Sequence, residues 1–234
     1  MRTRTALLLV CMLIPALPAR AQDYHGKLTV STYDTDGDNS VDVNVRYSVS
    51  NWTGWVGYYG AEDGTKQGRI GIEYDLHRPW LFLVPSIQTA SKGFVGGSLY
   101  AEIGTQWYLI GGLSRTDLRP YANLTFDPND SWQLGAGLHF AKSDSIALYT
   151  IWDNRLDTGQ QVTHAVLRHH FGESQRITLD GSYKSGHGDD GTYLRGDAEA
   201  IEYDWSRWFV KAAHDRHANF SDPTMWRFGA GLRF

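Results

Sequence analysis

Apolar and polar residues alternate with a period of two along most of this chain. The pattern is clearest in residues 41–49, 69–76, 132–140 and 176–183. In the first of these segments, Val41, Val43 and Val45 share one face, and the residues between them are polar or charged. Successive side chains of a β-strand point to opposite faces, so this pattern is typical of strands with one apolar face. Because no stretch after residue 24 has helical periodicity, we predict an all-β chain.

Residues 1–21 have the order of a secretory signal peptide. Two arginines precede an apolar stretch that ends at Leu17, and the small-residue site Ala19-Arg20-Ala21 follows. We predict cleavage after Ala21, which makes residues 22–234 a single mature domain.

The predicted mature segment is acidic and has no cysteine. Of the 22 basic residues in the chain three lie in residues 1–21, so 19 remain against 26 acidic residues, a formal charge of −7. Cys11 lies in the cleaved segment. The acidic balance argues against a nucleic-acid-binding surface. After residue 21 no apolar run approaches the roughly 20 residues of a membrane-spanning helix, which excludes a helical membrane bundle.

Turn-forming residues divide the mature segment at short intervals. The candidate breaks lie at residues 34–40, 50–51, 62–67, 76–79, 90–93, 116–120, 127–130, 142–145, 154–160, 172–174, 185–191, 204–206 and 215–223. A further candidate at residues 104–106 would produce 15 strands, whereas a bacterial barrel made from one chain has an even number. Alternation continues in phase through residues 104–106, so we predict no turn there and 14 strands, with 12 as the alternative.

A soluble sandwich or lipocalin-like barrel would also alternate, but it would bury its apolar face inside. Two features favour the inverse arrangement, an antiparallel transmembrane β-barrel with short periplasmic turns. The polar faces carry many charged residues. Aromatic residues lie near strand ends, as in the girdles at lipid interfaces: Trp52, Trp55, Tyr58, Trp80, Trp205, Trp208 and Trp226.

The last nine residues supply a third feature. Trp226, Phe228, Ala230, Leu232 and Phe234 share one face. This strand resembles the closing strand of bacterial outer-membrane β-barrel proteins of the porin-like class, without identifying a subfamily. The resemblance implies a location in the outer membrane and contact with its lipid. It also implies delivery by periplasmic chaperones and the barrel-assembly machinery, which would read Trp226, Phe228, Leu232 and Phe234 as an assembly signal.

In such a barrel the polar faces line the lumen. The predicted pore-lining residues are Arg46, Arg69, Glu73, Arg168, Arg176, Asp180, Arg195, Asp197, Glu199, Lys211 and Arg227. Basic and acidic candidates are nearly balanced. They can pair across a narrow lumen and close it, or line a wider lumen and act on passing ions.

The loops at the predicted outer mouth are acidic, with a candidate rim formed by Asp34, Asp36, Asp38, Asp189 and Asp190. Because a ring of carboxylates concentrates cations, we predict a small channel for hydrophilic solutes or ions with weak cation preference. The alternatives are a closed structural or adhesion barrel, and a rim hydrolase.

The hydrolase hypothesis would use His214, Asp215 and His217, which resemble over a few residues the Asp/His couple of outer-membrane aspartyl-type proteases. We expect no catalytic site, cofactor or metal site. The run Asp34–Ser40 departs from the EF-hand, because Asn39 occupies the position of its invariant glycine. The sequence does not indicate an oligomeric state.

Deleting Phe234, or replacing it with lysine, should impair membrane assembly much more than replacing Arg233 with glutamine. Phe234 belongs to the predicted assembly signal and to the apolar face, whereas Arg233 belongs to the polar face. The yield of heat-modifiable protein in the membrane fraction measures the difference. Equal yields for the Phe234 and Arg233 variants would contradict the prediction.

Overall fold

The computed structural model describes residues 24–140 and 143–234, so the predicted signal peptide lies outside the described residues. The described chain forms fourteen antiparallel strands. They are β1 (Gly26–Thr35), β2 (Asp38–Val49), β3 (Trp52–Ala61), β4 (Lys66–Tyr74, continued by Leu76–Arg78), β5 (Leu81–Ala90), β6 (Phe94–Gly104), β7 (Trp107–Thr116), β8 (Ser131–His139), β9 (Ser145–Asp153), β10 (Gln161–Phe171), β11 (Gln175–His187), β12 (Tyr193–Trp205), β13 (Trp208–Asp215) and β14 (Met225–Arg233).

The strands form a closed barrel. Each pairs with the next along the chain, and β14 pairs with β1. Beyond the last strand residue the pairing continues, since Gly26 N donates to Phe234 O at 2.7 Å and Phe234 N donates to Gly26 O at 2.9 Å. Closure leaves no open sheet edge, which is the condition for a sheet to cross a bilayer.

The two segments of β4 form one strand with a local interruption. Glu73 faces Ser86 and Leu76 faces Leu83, so both segments have the same register against β5. That register places Tyr74 opposite Pro85. Because proline has no N–H to donate, the hydrogen bonding between β4 and β5 is interrupted at this point, but β4 keeps its direction. The strand count is therefore 14, as predicted from the sequence.

The prediction that no turn lies at residues 104–106 was wrong. Strand β6 ends at Gly104, which has a φ of 139°, and β7 begins at Trp107. Gly104 faces Tyr108 across this hairpin, so even-numbered residues point inward on both strands and the alternation passes through the turn unchanged. At the two-residue turn after β2, by contrast, Val49 faces Trp52 and the phase reverses.

The predicted strand count is nevertheless correct, because a strand predicted at residues 121–126 does not exist and offsets the missed turn. The candidate breaks on either side of residues 121–126 implied a strand there, but residues 117–130 form one long connection between β7 and β8. Pro120 and Pro128 flank this segment, and Leu118 and Phe126 have left-handed backbone angles of 65° and 67°. Six residues are also fewer than the roughly 9–11 that a membrane strand needs.

The apolar faces point outward and the charged faces inward. Val56, Ile70 and Leu134 are each more than half exposed on the outer wall. Asp42, Arg69 and Lys184 are buried inside, with at most 8% of their surface exposed. This arrangement inverts that of a soluble barrel and gives the outer surface the apolar character that lipid requires.

Aromatic residues form two bands on the outer wall. Trp52, Trp80, Trp107, Trp205 and Trp208 lie at strand ends on the side of the barrel that holds the described termini. Tyr58, Trp132 and Trp226 lie toward the other end, where Trp132 stacks on Trp152 at 4.3 Å between ring centroids. Trp55 does not belong to either band: it faces Arg46 and Gly71 on the inward side of β3.

Turns are short at the end that holds the termini, which is the pattern of periplasmic turns. Residues 50–51, 79–80, 105–106 and 206–207 suffice for four of them, while connections at the other end extend to the 14 residues of 117–130. Across the described ranges, no helix has the length and apolar character needed to cross a membrane.

Replacing Leu134 with lysine should destabilise the barrel by about 2–4 kcal/mol, because the charge would face the middle of the bilayer. The same replacement at the neighbouring Gln133, which points into the lumen, serves as the matched control and should cost much less. Urea titration of the folded fraction in vesicles measures both. A greater loss at Gln133 would contradict the outward orientation of the apolar face.

Candidate functional site

The connection between β7 and β8, residues 117–130, folds into the barrel and narrows it; we call it the lumenal loop. Phe126 is 8% exposed and packs on Tyr33 of β1, with ring centroids 6.1 Å apart. The guanidinium of Arg227 on β14 lies 5.1 Å from the centre of the same ring. The loop therefore reaches from β7 across to the strands that close the barrel.

Polar and aromatic contacts anchor the lumenal loop to the wall. The side-chain amide of Gln67 on β4 both donates to Ala122 O at 3.3 Å and accepts from Ala122 N at 2.8 Å. Tyr121 stacks on Phe94 of β6 at 4.1 Å between centroids. At the far end of the loop, Asp130 accepts hydrogen bonds from Thr116 and forms an ion pair with Arg155.

His164 on β10 joins the lumenal loop to the wall behind it. Its Nε2 lies 3.2 Å from Asp127 Oδ1, and its Nδ1 lies 3.0 Å from Asp180 Oδ1. Tyr149 stacks on the imidazole at 4.9 Å. Only the imidazolium form has two N–H groups to donate to two carboxylates, so this geometry fits the charged ring.

A cavity of about 380 Å³ lies between the lumenal loop and the wall made by β1–β5 and β12–β14. We call it the basic cavity, because five basic and two acidic side chains line it: Lys27, Arg46, Arg69, Lys211 and Arg227, with Asp42 and Glu202. The loop contributes Tyr121, Asn123 and Asn129. The narrowed lumen is thus polar and net positive on this side.

Ion pairs hold several charges against the wall. Arg46 pairs with Glu73, Arg69 with Asp42, and Lys184 with Asp215. Asp204 receives two arginines: Arg176, whose Nε donates at 2.9 Å, and Arg233. Partners within one wall keep these side chains flat against the strands, so they do not have to reach across the lumen.

The opposite wall of the lumen, made by β6–β10, carries a group of buried aromatic and aliphatic side chains. Tyr108, Ile110, Val162 and Val166 point inward and are at most 5% exposed. Tyr100 lies beside them and donates its hydroxyl to Glu102 at 2.6 Å. The lumen is therefore asymmetric: charged side chains are concentrated around the basic cavity, and buried aromatic and aliphatic side chains on the opposite wall.

Glycines on the inward faces make room for these rings. A Cβ at Gly137 would fall on the Tyr108 ring, and one at Gly231 would fall on the Phe209 ring. At Gly57 a Cβ would come within 2.9 Å of the Arg69 guanidinium. The glycines that alternate with apolar residues in the sequence thus mark places where a large neighbouring side chain lies flat on the wall.

The register places most of the predicted pore-lining residues on the inward face: Arg46, Arg69, Glu73, Arg168, Arg176, Asp180, Lys211 and Arg227. Of these, Arg46, Arg69, Lys211 and Arg227 meet at the basic cavity. Asp180 lies farther along the wall, beside His164.

Arg195, Asp197 and Glu199 are a correction, because they point outward. They share a face with Ile201, Tyr203 and Trp205 along the 13 residues of β12, so they form the outer wall at the end away from the termini. The side chains of Asp197 and Glu199 are 52% and 63% exposed. Glu202 and Asp204 occupy the inward positions instead. The phase set by Ile201 and Tyr203 could have shown this from the sequence.

The candidate rim residues lie at the end of the barrel away from the termini, and all are exposed. Asp34 and Asp38 belong to the turn-side ends of β1 and β2, whereas Asp36, Asp189 and Asp190 lie in connections. Asp36 accepts from Thr224 N at 3.1 Å, which links two of these connections. The backbone N–H and hydroxyl of Thr192 both donate to Asp190 and lower its pKa. That carboxylate therefore stays charged under mildly acidic conditions.

The structure does not bring the hydrolase candidates together. His214 points outward and contacts Glu199 at 3.2 Å, whereas its neighbour Asp215 points inward to Lys184. His217 has its Nδ1 3.2 Å from the carbonyl of Ser221. The geometry therefore offers no shared site for an Asp/His couple.

The four residues of the predicted assembly signal, Trp226, Phe228, Leu232 and Phe234, lie on the outward face of the last strand. Trp226, Phe228 and Phe234 are each about half exposed, at 48%, 53% and 54%. The Trp226 and Phe228 rings lie parallel with centroids 6.1 Å apart.

Comparison with solved structures places this architecture among known barrels. The outer-membrane protein Omp33 of Acinetobacter baumannii matches with a TM-score of 0.64 and 11% identity, over 90% of this chain and 98% of that one. The KdgM porin matches with a TM-score of 0.50 and 11% identity, over 89% and 99% of the two chains. The chain has the fold of bacterial outer-membrane porins. No protein-family model and no curated protein matches the sequence.

Replacing Gly137 with alanine should destabilise this porin-like barrel by about 1–3 kcal/mol, because the added methyl would displace the Tyr108 ring. Gly111 on the adjacent strand points outward, has nothing within 4 Å of an added Cβ, and provides the control substitution to alanine. The denaturant concentration at the unfolding midpoint, measured for both variants, should be lower for the Gly137 variant than for the Gly111 variant. Similar midpoints would show that the ring does not depend on Gly137.

Proposed function

We propose that the protein is an outer-membrane channel for small hydrophilic solutes or ions. The observation that carries the proposal is a polar, charged cavity of about 380 Å³ enclosed by a closed barrel with an apolar outer wall. The porin fold supports the same function and an outer-membrane location. Lipid would contact the outward valines and leucines, and the last strand would be read by chaperones and the assembly machinery.

The mouth and the lumen carry opposite charge in this proposal. The exposed rim carboxylates concentrate cations at the mouth, whereas five basic and two acidic side chains surround the cavity below. Exposed charges are screened strongly as the Debye length falls from about 30 Å at 0.01 M salt to about 3 Å at 1 M, and enclosed charges are screened less. We therefore propose weak cation preference at low salt that declines as salt rises.

A closed structural or adhesion barrel is the second candidate. It is favoured by the anchoring of the lumenal loop through Gln67, His164 and Phe94, and by the pairing of many lumenal charges. The two candidates differ in one property, the passage of ions through the purified barrel.

Conductance in planar bilayers separates them. The channel proposal predicts discrete conductance steps for the folded wild-type protein and none for heat-denatured protein. Folded, heat-modifiable protein that inserts and yet passes no current would overturn the channel and favour the closed barrel.

Neutralising the mouth should change the selectivity of this channel at low salt. In the triple variant Asp34→Asn, Asp36→Asn and Asp38→Asn, we expect the reversal potential at about 0.01 M salt to move toward anions, and the difference from wild type to vanish near 1 M. Glu173→Gln, at an exposed turn on the other end of the barrel, serves as the control. An unchanged reversal potential in the triple variant would place the selective charges inside the barrel.

A further inference from the structure

Three basic side chains lie side by side across the strands that close the barrel. Lys27 on β1 faces Arg233 on β14 and also faces Arg46 on β2, all on the inward surface. Like charges directly opposite one another destabilise a sheet. Arg233 and Arg46 turn to the carboxylates of Asp204 and Glu73, but Lys27 stands between them.

Lys27, Lys211 and Arg227 form no salt bridge with a carboxylate in the described parts of the chain, although other basic groups nearby do so. Lys27 and Arg227 rest on the rings of Phe209 and Phe126, at 4.4 and 5.1 Å from the ring centres. The Nε of Arg227 is buried without a hydrogen-bond partner. Lys211 faces Gly229, which has no side chain to contact it.

The remaining lining supplies hydrogen-bonding groups and aromatic rings. Asn44, Gln88 and Asn123 carry amides, and Trp55 and Tyr121 carry rings with polar atoms. Of the two acidic residues in the lining, Asp42 forms an ion pair with Arg69. The other, Glu202, faces Lys211 directly across β12 and β13. Glu202 in turn lies 3.7 Å from Arg176. The cavity thus keeps an excess of positive charge after its internal pairs are counted.

We propose that the basic cavity binds a small organic anion, a solute that carries carboxylate or phosphate groups, on Lys27, Lys211 and Arg227. The inference rests on the proposed function as a channel, which would bring the solute to the cavity. Enclosed cations without partners are costly to a fold. Along the closing strands Lys211 lies between Lys27 and Arg227. A small anion that contacts Lys211 together with either neighbour supplies missing charge, and charge-assisted hydrogen bonds to it are stronger than neutral ones.

Isothermal titration of the folded, detergent-purified barrel at low salt tests the site with citrate, inorganic phosphate and glucose as probes. We expect citrate or phosphate to bind and glucose not to bind; the tighter of the two anions identifies carboxylate or phosphate as the preferred group. In the double variant Lys27→Gln and Lys211→Gln, affinity should fall by about tenfold or more. Absence of binding by both anions would overturn the proposal.

The matched control is the double variant Lys66→Gln and Lys92→Gln, which removes the same charge from exposed positions. It should bind as wild type does, and an equal loss in both double variants would show only a general charge effect and overturn the site. Heat-modifiable mobility verifies folding, and Arg227→Gln serves as a second lumenal variant with the same expected loss.

The current through the wild-type barrel separates this proposal from the channel itself. Added citrate should reduce the current, and less so in the lumenal double variant. Current without anion binding would overturn the site and leave the channel. Binding without current would overturn the channel and leave the site as part of a closed barrel.

Discussion

Closure of the sheet between β1 and β14 is the constraint on which the rest of the structure depends. In lipid a strand edge has no water to satisfy its N–H and C=O groups, so each strand must have two neighbours. The pairing of Lys27 through Thr35 with Met225 through Arg233 supplies the last of these ladders. Once the ring is closed, every strand has one face toward the bilayer and one toward the lumen.

Closure also explains why the charged residues cluster. An outer wall of valine, leucine and aromatic residues leaves the lumen as the place for arginine, lysine and aspartate. Burying an unpaired charge there is costly, and ion pairs within one wall, such as that of Arg69 with Asp42, offset this cost. Gly57 lies beneath that pair, and Gly137 lies beneath Tyr108. The glycines therefore provide the space that these large lumenal side chains occupy.

The lumenal loop converts a polar wall into a specific cavity. Without residues 117–130 the basic side chains of β1, β13 and β14 would face an open lumen. With the loop anchored at Gln67 and His164, Asn123 and Tyr121 stand opposite those side chains. Any solute that passes on this side meets both surfaces at short range, where charge and hydrogen bonding act strongly.

The period-two pattern in the sequence determined the fold class, the inverted faces and the even number of strands, because these depend on local alternation and on the rule of closure. It placed Arg46, Arg69, Lys211 and Arg227 on the lumenal side. It missed the turn after Gly104, since a hairpin that pairs two even-numbered residues leaves the phase unchanged. Only the tertiary structure decided where residues 117–130 lie, and which cations lack partners, because both follow from contacts between strands far apart in the chain.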